Sequence, residues 1–343
     1  MENPLLTFAS PTIIAGDKSG VFVAIHEIGH SWTGNWVTCQ NWEHFWLNEG
    51  FTVFLERKGG KILNGEEKYK IASIVGNISL VEDFKTYGYN HSFSSLHPNL
   101  TTSNPDDAFS TVPYEKGFQL LVYLESLVGE ENFRSFLQKY LQQFGKQSLI
   151  YEEMALFFIN FVQATFDQVK TYEILNAIDW KGWVENPGSP PVDMAPFFKS
   201  HILDEALLLA DTILNGHTPN NTKLFNTFDM NTKLLFLQYF FDRIEVVNMK
   251  VINFLNDNYE LDNCTNAEIL FVWLRINILK NNSRVFPITE DFLAKVGRMK
   301  FIRPLYLALA TVDISYAVRI FKLNQSFYHQ IAVRLIKKDL GIN

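Results

Sequence analysis

Apolar residues near the start of the chain recur at the spacing of an α-helix. This pattern runs from about Val21 to Val37 and again from Phe45 to Lys58, where Gly59-Gly60 supplies a stop. A polar turn around residues 38–41 separates the two stretches. After an extended start, the pattern therefore predicts a helix, a turn and a second helix.

The middle of the chain alternates between a long polar segment and further helical patterns. Residues 85–113 are rich in Ser, Thr, Asn and Pro, and we interpret them as a long loop of the kind that is usually functional or disordered. After this loop the pattern predicts four more helices, at roughly 114–128, 130–144, 151–165 and 170–185.

A proline-rich segment divides the chain into two predicted domains. Residues 185–193 contain three prolines in nine positions, which breaks the helical pattern. We interpret 1–184 as one domain, 185–193 as a linker and 194–343 as a second domain. In the second domain, apolar stretches alternate with polar turns every 15 to 20 residues, as in stacked helix pairs. The predicted fold class is mainly α, with an all-helical, HEAT/armadillo-like C-terminal domain.

Composition and charge narrow the functional classes. The 343 residues are 47% hydrophobic and 20% charged, which suits a large core and argues against disorder. A net charge of −7 with scattered lysines and arginines argues against nucleic-acid binding. Cys39 and Cys264 suggest no disulfide framework, and no apolar stretch is long enough for a membrane span. We expect a cytoplasmic protein without a membrane span, and a monomer.

A histidine pair lies inside the first predicted helix, in the pattern His26-Glu27-x-x-His30. Two imidazoles four residues apart face the same side of a helix, so both can bind one tetrahedral ion. Glu27 lies about 100° around the helix from His26, beside the metal rather than on it. We predict a zinc site at which Glu27 takes a proton from water.

A catalytic zinc ion needs a third protein ligand, and Glu49 follows His30 after eighteen residues. Along one continuous helix the two would be about 28 Å apart, so Glu49 can bind only if the chain folds back. The polar turn at residues 38–41 permits that reversal. A purely structural role would leave two histidines and a glutamate in largely apolar surroundings, where uncompensated burial is costly. We therefore prefer the metal site.

Two more ionisable residues lie near this pattern, Glu56 and His44. Glu56, two turns after Glu49, could accept a hydrogen bond from a ligand imidazole, although an exposed charge fits about as well. His44 lies between the two helices without a partner at ligand spacing. We expect His44 to have a satisfied polar role rather than to bind metal.

Several segments together resemble the M1 family of zinc aminopeptidases. They are the initial MEN, HEIGHSWTGNW and WLNEGFTVFLERK. Two further segments, NPDDAFSTVPYEKG at 104–117 and GRMKFIRPLY at 297–306, resemble the leukotriene A-4 hydrolase branch, which is related to aminopeptidase B. The resemblance covers essentially the whole chain but lacks the family's N-terminal β domain. It implies a thermolysin-like zincin helical lobe and one Zn²⁺ per chain.

The resemblance also implies roles for single residues. Glu2 matches the glutamate that holds the α-amino group of a peptide, and Tyr114 matches the tyrosine that donates to the oxyanion. Asp106 matches the aspartate that lines the pocket and directs water during epoxide opening. Arg298 and Lys300 match the pair that receives the substrate carboxylate.

Other matching positions concern the walls of the substrate channel. In the family, an apolar channel is lined at the positions of Trp42, Phe45, Pro105 and Ala108. Phe109 stands where the leukotriene hydrolases have a tyrosine, which removes a hydroxyl near the substrate.

Three functions remain open at the level of sequence. The first is a zinc aminopeptidase acting on short peptides, with opening of a fatty-acid epoxide as a second activity of the same pocket. The second is a catalytically impaired truncated paralogue or fragment that retains the zinc site. The third is a helical scaffold that binds partners through its C-terminal repeats.

Overall fold

The computed structural model describes residues 1–342 and is mainly α-helical, as the sequence predicts, with 69% helix and 2% strand. Its described residues form two compact units, one of residues 1–9 and 21–200 and one of residues 10–20 and the chain from His201 onward.

The first unit has seven α-helices and one pair of short parallel strands. Its core is aromatic, with Phe51, Phe118, Phe133 and Phe158 fully or almost fully buried. The helices are α1 (Val21–Gly29), α2 (Trp46–Asn64), α3 (Glu66–Tyr87), α4 (Val112–Val128), α5 (Glu130–Phe144), α6 (Tyr151–Thr165) and α7 (Gln168–Asn176), and the strands are β1 (Val37–Cys39) and β2 (Gln147–Leu149).

The second unit is entirely helical over its described residues. Alternate helices pack on one another, because α10 contacts both α8 and α12, and α12 contacts α14. This stacking is typical of repeat-like helical arrays. The helices are α8 (His201–Leu214), α9 (Leu224–Thr227), α10 (Met230–Phe241), α11 (Met249–Tyr259), α12 (Ala267–Leu279), α13 (Phe286–Lys295), α14 (Met299–Val312), α15 (Ile314–Asn324) and α16 (Gln330–Asp339).

The predicted stop at Gly59-Gly60 is wrong, because α2 runs through both glycines to Asn64. The ring of Phe22 from α1 packs on Gly60, where a Cβ would lie only 2.3 Å from the ring. Gly60 therefore allows α1 and α2 to approach closely, and neither glycine ends the helix. The helix ends before Gly65, whose φ of 89° favours glycine.

Two other helix boundaries differ from the prediction, and one further helix is absent from it. Helix α1 ends at Gly29 rather than near Val37, since the chain turns at Gly34, where φ is 125°. The pattern does not predict α3, because its buried stripe includes Ser73 and Gly76 while apolar residues such as Ile71 lie on other sides of the helix. The predicted helix 170–185 ends early, and a π-helical turn at Lys181–Glu185 follows it.

Helices α2 and α4 cross at a pair of glycines. A Cβ on Gly50 would lie 2.9 Å from the Cα of Gly117 and 3.2 Å from the carbonyl oxygen of Pro113. Backbone atoms cannot rotate away as a side chain can, so any larger residue here must push the helices apart. This crossing fixes the separation between Glu49 on α2 and Tyr114 on α4.

We expect Gly50→Ala to destabilise the first unit by about 1–3 kcal/mol, because overpacking outweighs the gain in helix propensity. Urea unfolding followed by circular dichroism measures this effect. Gly59→Ala in the same helix is the matched control, since its Cβ would meet only the side chain of Ile25. Equal stability of the two variants would contradict the rigid crossing.

Lys116, next to this crossing on α4, is fully buried and pairs with no carboxylate among the described residues. Burial lowers the pKa of Lys116 to about 7. In the unfolded chain the pKa of a lysine is about 10.4. Between these values the unfolded chain binds more protons than the folded protein, so stability rises with pH.

We therefore expect Lys116→Met to remove a pH dependence of stability. Between pH 7 and 10, the wild type should gain up to about 1.4 kcal/mol per pH unit relative to the variant. Urea unfolding of both proteins at pH 7, 8 and 9 provides the measurement. If the free energies of unfolding of the two proteins changed with pH in parallel, the pKa of Lys116 would not be lowered in the folded protein.

Candidate metal centre and cavity

Helices α1 and α2 bring the three predicted ligands together. The Nε2 atoms of His26 and His30 are 3.1 Å apart, and Oε2 of Glu49 lies 3.3 Å from the first and 3.2 Å from the second. A tetrahedral zinc ion with bonds of about 2.0–2.1 Å separates its ligand atoms by about 3.3–3.4 Å. The three atoms thus form one face of a tetrahedron of the right size, and the residues fit a zinc ion.

Hydrogen bonds at the far side of each imidazole orient the rings. Nδ1 of His26 lies 3.0 Å from Oε2 of Glu56, and Nδ1 of His30 lies 2.9 Å from the carbonyl oxygen of Thr33. With Nδ1–H donated in this way, Nε2 is the nitrogen of each ring that binds a metal, once it has lost any proton it carries. Of the two interpretations of Glu56, the structure agrees with the one in which its carboxylate pairs with the His26 imidazole.

The centre holds opposite charges in buried surroundings. Burial alone would lower the pKa of His26, but hydrogen bonds to Glu49 and Glu56 outweigh it and raise that pKa to about 10. Burial would raise the pKa of Glu49, but His26 and His30 outweigh it and lower that pKa to about 2. Glu49 therefore remains a carboxylate, as a metal ligand must.

Glu27 sits beside the three ligand atoms. Its Oε2 is buried and has no hydrogen-bond partner among residues 1–342, which is costly unless something polar occupies the adjacent space. Glu2, Glu27 and His30 also form a second group with metal-binding geometry. Because Nδ1 of His30 is already bonded to Thr33, both groups need the same Nε2. The two groups therefore describe one centre for one ion.

Tyr114 lies in the first turn of α4 and faces this centre. Its ring stacks against His26 with centroids 6.1 Å apart. Burial first, and then the negative charge of Glu49, raise the pKa of Tyr114 well above its ordinary value. The phenol therefore stays protonated and can only donate at neutral pH.

A cavity of about 440 Å³ opens onto the centre. All residues that line it belong to the first unit. Its acidic groups are Glu2, Glu27, Glu49 and Asp106, and no lysine or arginine lines it. The apolar lining consists of Trp42, Phe45, Phe93, Leu96, Pro98, Leu100, Pro105, Ala108, Phe109 and Pro113.

The structure brings two of the four predicted substrate residues to this cavity. Glu2 and Asp106 line it, and Asp106 is exposed. Arg298 and Lys300 lie in the second unit, at the start of α14. There the Nζ atom of Lys300 donates to both carboxylate oxygens of Glu268 at 2.7 Å.

Sequence reasoning missed the wall formed by Phe93, Leu96 and Leu100. These residues lie in a segment with no helical period, so no periodic signal marks them. Oε1 of Glu43 accepts a hydrogen bond from the Leu100 amide at 2.8 Å, which fixes this end of the wall.

His44 packs behind the same wall and has polar partners, as predicted. Its Nδ1 accepts a hydrogen bond from the Tyr151 amide at 3.3 Å, and its ring stacks on His97 at 4.7 Å. Burial and the neighbouring His97 lower the pKa of His44. The ring is therefore neutral at neutral pH.

Comparison with protein families gives matches over both parts of the chain. A model of the peptidase family M1 domain matches residues 1–176, and a model of the C-terminal domain of leukotriene A4 hydrolase matches residues 228–340.

Similar proteins extend over the whole of this chain. Leucine aminopeptidase 2 of Ajellomyces capsulatus is 36% identical over 99% of this chain and 54% of its own length. A leukotriene A-4 hydrolase homolog of Botryotinia fuckeliana is 38% identical over 99% of this chain and 52% of its own length. The solved structure of yeast LTA4 hydrolase in complex with Bestatin matches with a TM-score of 0.90 and 33% identity, covering 100% of this chain and 57% of that one.

The chain thus spans about half the length of the curated relatives it matches. Within residues 1–342, none of the helices combines the length and the apolar character needed to cross a membrane.

Proposed function

Because this chain belongs to peptidase family M1, we propose that it is a zinc-dependent aminopeptidase that removes N-terminal residues from short peptides. The observation that carries this proposal is the meeting of His26, His30 and Glu49 at zinc-ligand distances. The names of its leucine aminopeptidase relatives support the same substrate class.

Each residue of the centre has a chemical task in this proposal. A zinc ion held by the three ligands would polarise the scissile carbonyl and make water more acidic. The free carboxylate oxygen of Glu27 accepts a proton from the attacking water and then passes it to the leaving amine. The protonated phenol of Tyr114 donates a hydrogen bond to the oxyanion that develops on the carbonyl oxygen.

Substrate placement follows from the charges of the cavity. Its acidic groups suit a substrate ammonium, and Glu2 is proposed to bind it. A bound ammonium at a fixed site lets only the first peptide bond reach Glu27, which accounts for removal of single residues. Arg298 and Lys300 are proposed to receive the far carboxylate of the peptide.

A second activity is proposed for the same cavity. The apolar walls, with Trp42, Phe45 and Phe109, could accept the hydrocarbon chain of a fatty-acid epoxide. Asp106 at the cavity lining would direct a water to the opened epoxide. A relative named leukotriene A-4 hydrolase homolog supports this proposal.

We also propose a cytoplasmic monomer. Both cysteines, Cys39 and Cys264, are free thiols, which suits a reducing compartment. Size-exclusion chromatography with light scattering tests the monomer directly.

The test of function combines a metal assay with turnover. The purified chain should contain one zinc and hydrolyse an arginyl or alanyl chromogenic substrate, with activity that a chelator removes and zinc restores. One zinc per chain without turnover would instead favour the catalytically impaired alternative. Hydrolysis of leukotriene A-4 by the same preparation tests the epoxide activity separately.

A further inference from the structure

The first turn of α4 directs three polar side chains to three different places. Successive residues in a helix point about 100° apart. Tyr114 faces the cavity, and Oε1 of Glu115 accepts a hydrogen bond from Nη2 of Arg57 on α2 at 2.6 Å. Lys116 points to a third place and has no part in the chemistry described above.

The amine of Lys116 binds backbone oxygens only. Its Nζ donates to the carbonyl oxygen of Asn186 at 2.8 Å and to that of Ser94 at 3.4 Å. The side chain is fully buried, and no acidic residue among the described ones pairs with it. A buried amine without a counter-ion is expensive, and an apolar residue of similar length would fill the same space at lower cost.

The two carbonyl groups belong to segments that support a wall of the cavity. The Ser94 carbonyl oxygen also accepts a hydrogen bond from the Gly188 amide at 3.0 Å, and the His97 amide donates to Val184 at 3.0 Å. Phe93, Ser95 and Leu96, which are next to or between these two hydrogen-bonded positions, line the cavity. Lys116 therefore lies directly behind the wall, on the helix that carries Tyr114 in front of it.

We infer that Lys116 is a positioning residue that holds the cavity wall at residues 93–96 against the start of α4. It thereby sets the space between that wall and Tyr114, into which the first side chain of a peptide would enter. This inference rests on the proposed aminopeptidase function for its substrate, but the attachment of the wall is a property of the chain itself.

The inference makes a kinetic distinction. Lys116 touches no reacting group, so its loss should loosen substrate binding while the groups that act on the peptide bond stay in place. An effect on binding that is equal in the ground and transition states raises KM and leaves kcat unchanged. A general loss of structure would instead lower kcat and the zinc content together.

The experiment compares zinc-loaded wild type, Lys116→Met and Lys58→Met. Lys58 is a partly buried lysine of the same unit, and its Nζ lies 2.7 Å from Oε1 of Glu125 on α4. Its replacement therefore controls for the loss of a lysine. For Lys116→Met, we expect KM for an alanyl chromogenic substrate to rise at least fivefold, with kcat within twofold of wild type. Lys58→Met should leave both constants within twofold.

Hydrogen exchange measures the wall without needing turnover. In Lys116→Met, amides in the peptide covering residues 92–97 should exchange at least fivefold faster, with no change in α5. If wild type shows no turnover, the proposed function fails, and the exchange data alone decide the role of Lys116.

Two results would overturn the inference. One is a folded Lys116→Met protein with unchanged KM and unchanged exchange at residues 92–97. The other is a loss of kcat with KM unchanged. Should Lys116→Met fail to fold, Lys116→Leu, which also removes the hydrogen-bond donor, is judged by the same two readouts.

Discussion

Replacing Glu27 by glutamine should lower kcat about 10³-fold while the protein keeps one zinc per chain. Glutamine has nearly the same shape, but its amide cannot accept and return a proton. Glu27 has a buried oxygen without a partner and lies beside the three ligand atoms, so its loss removes a base and not a ligand. Steady-state kinetics and metal analysis of the same sample measure both quantities.

The matched control for this variant is Glu66→Gln. Glu66 lies at the start of α3 and pairs with Lys61 at 2.8 Å on a half-exposed surface. It should leave kcat, KM and zinc content unchanged. If Glu27→Gln retained wild-type turnover, the proposed chemistry would be wrong even with zinc correctly bound.

The ligand set could be predicted because each part of it leaves a local signal. His26 and His30 are one helical turn apart, and the turn before α2 makes it plausible that Glu49 folds back onto them. The separations of the three ligand atoms in the structure agree with this reasoning. Glu56 also had a local signal, but only the structure distinguishes its contact with His26 from an exposed position.

The cavity wall at residues 93–100 could not be predicted, because it depends on contacts distant in sequence. Leu100 is held by Glu43, and Ser94 is held by Lys116 and Gly188. Neither contact has a period or a spacing that the sequence could reveal.

The role of the glycines in α2 also depends on contacts distant in sequence. Gly59 and Gly60 have the composition of a helix stop, yet α2 continues through both, and Phe22 of α1 occupies the space that a Gly60 side chain would fill. Whether a glycine ends a helix or admits a neighbour depends on the tertiary partner, which local propensity does not contain. Gly50 and Gly117 act in the second way, and they bring Glu49 and Tyr114 close together.

Glu49→Ala should reduce zinc affinity at least about 100-fold and abolish turnover, because loss of even an outer partner of a metal ligand costs about 10- to 100-fold. Glu49 supplies the carboxylate oxygen that lies 3.3 and 3.2 Å from the Nε2 atoms of His26 and His30, so its loss opens one corner of the ligand set. Zinc analysis after dialysis against a weak chelator and steady-state kinetics are the measurements. Glu66→Ala serves as the control.

Thermal unfolding gives a readout of the same site that does not depend on catalysis. A ligand that binds only the folded protein stabilises it by about 4 kcal/mol at a thousandfold excess over Kd. Zinc added to the metal-free wild type should therefore raise Tm. The same zinc concentration should raise the Tm of Glu49→Ala much less, because a hundredfold weaker affinity leaves only about 1.4 kcal/mol of stabilisation. A Glu49→Ala protein that still held one zinc and showed the wild-type rise in Tm would mean that the ion is bound elsewhere, since His26 and His30 alone provide two ligands where a catalytic zinc site needs three.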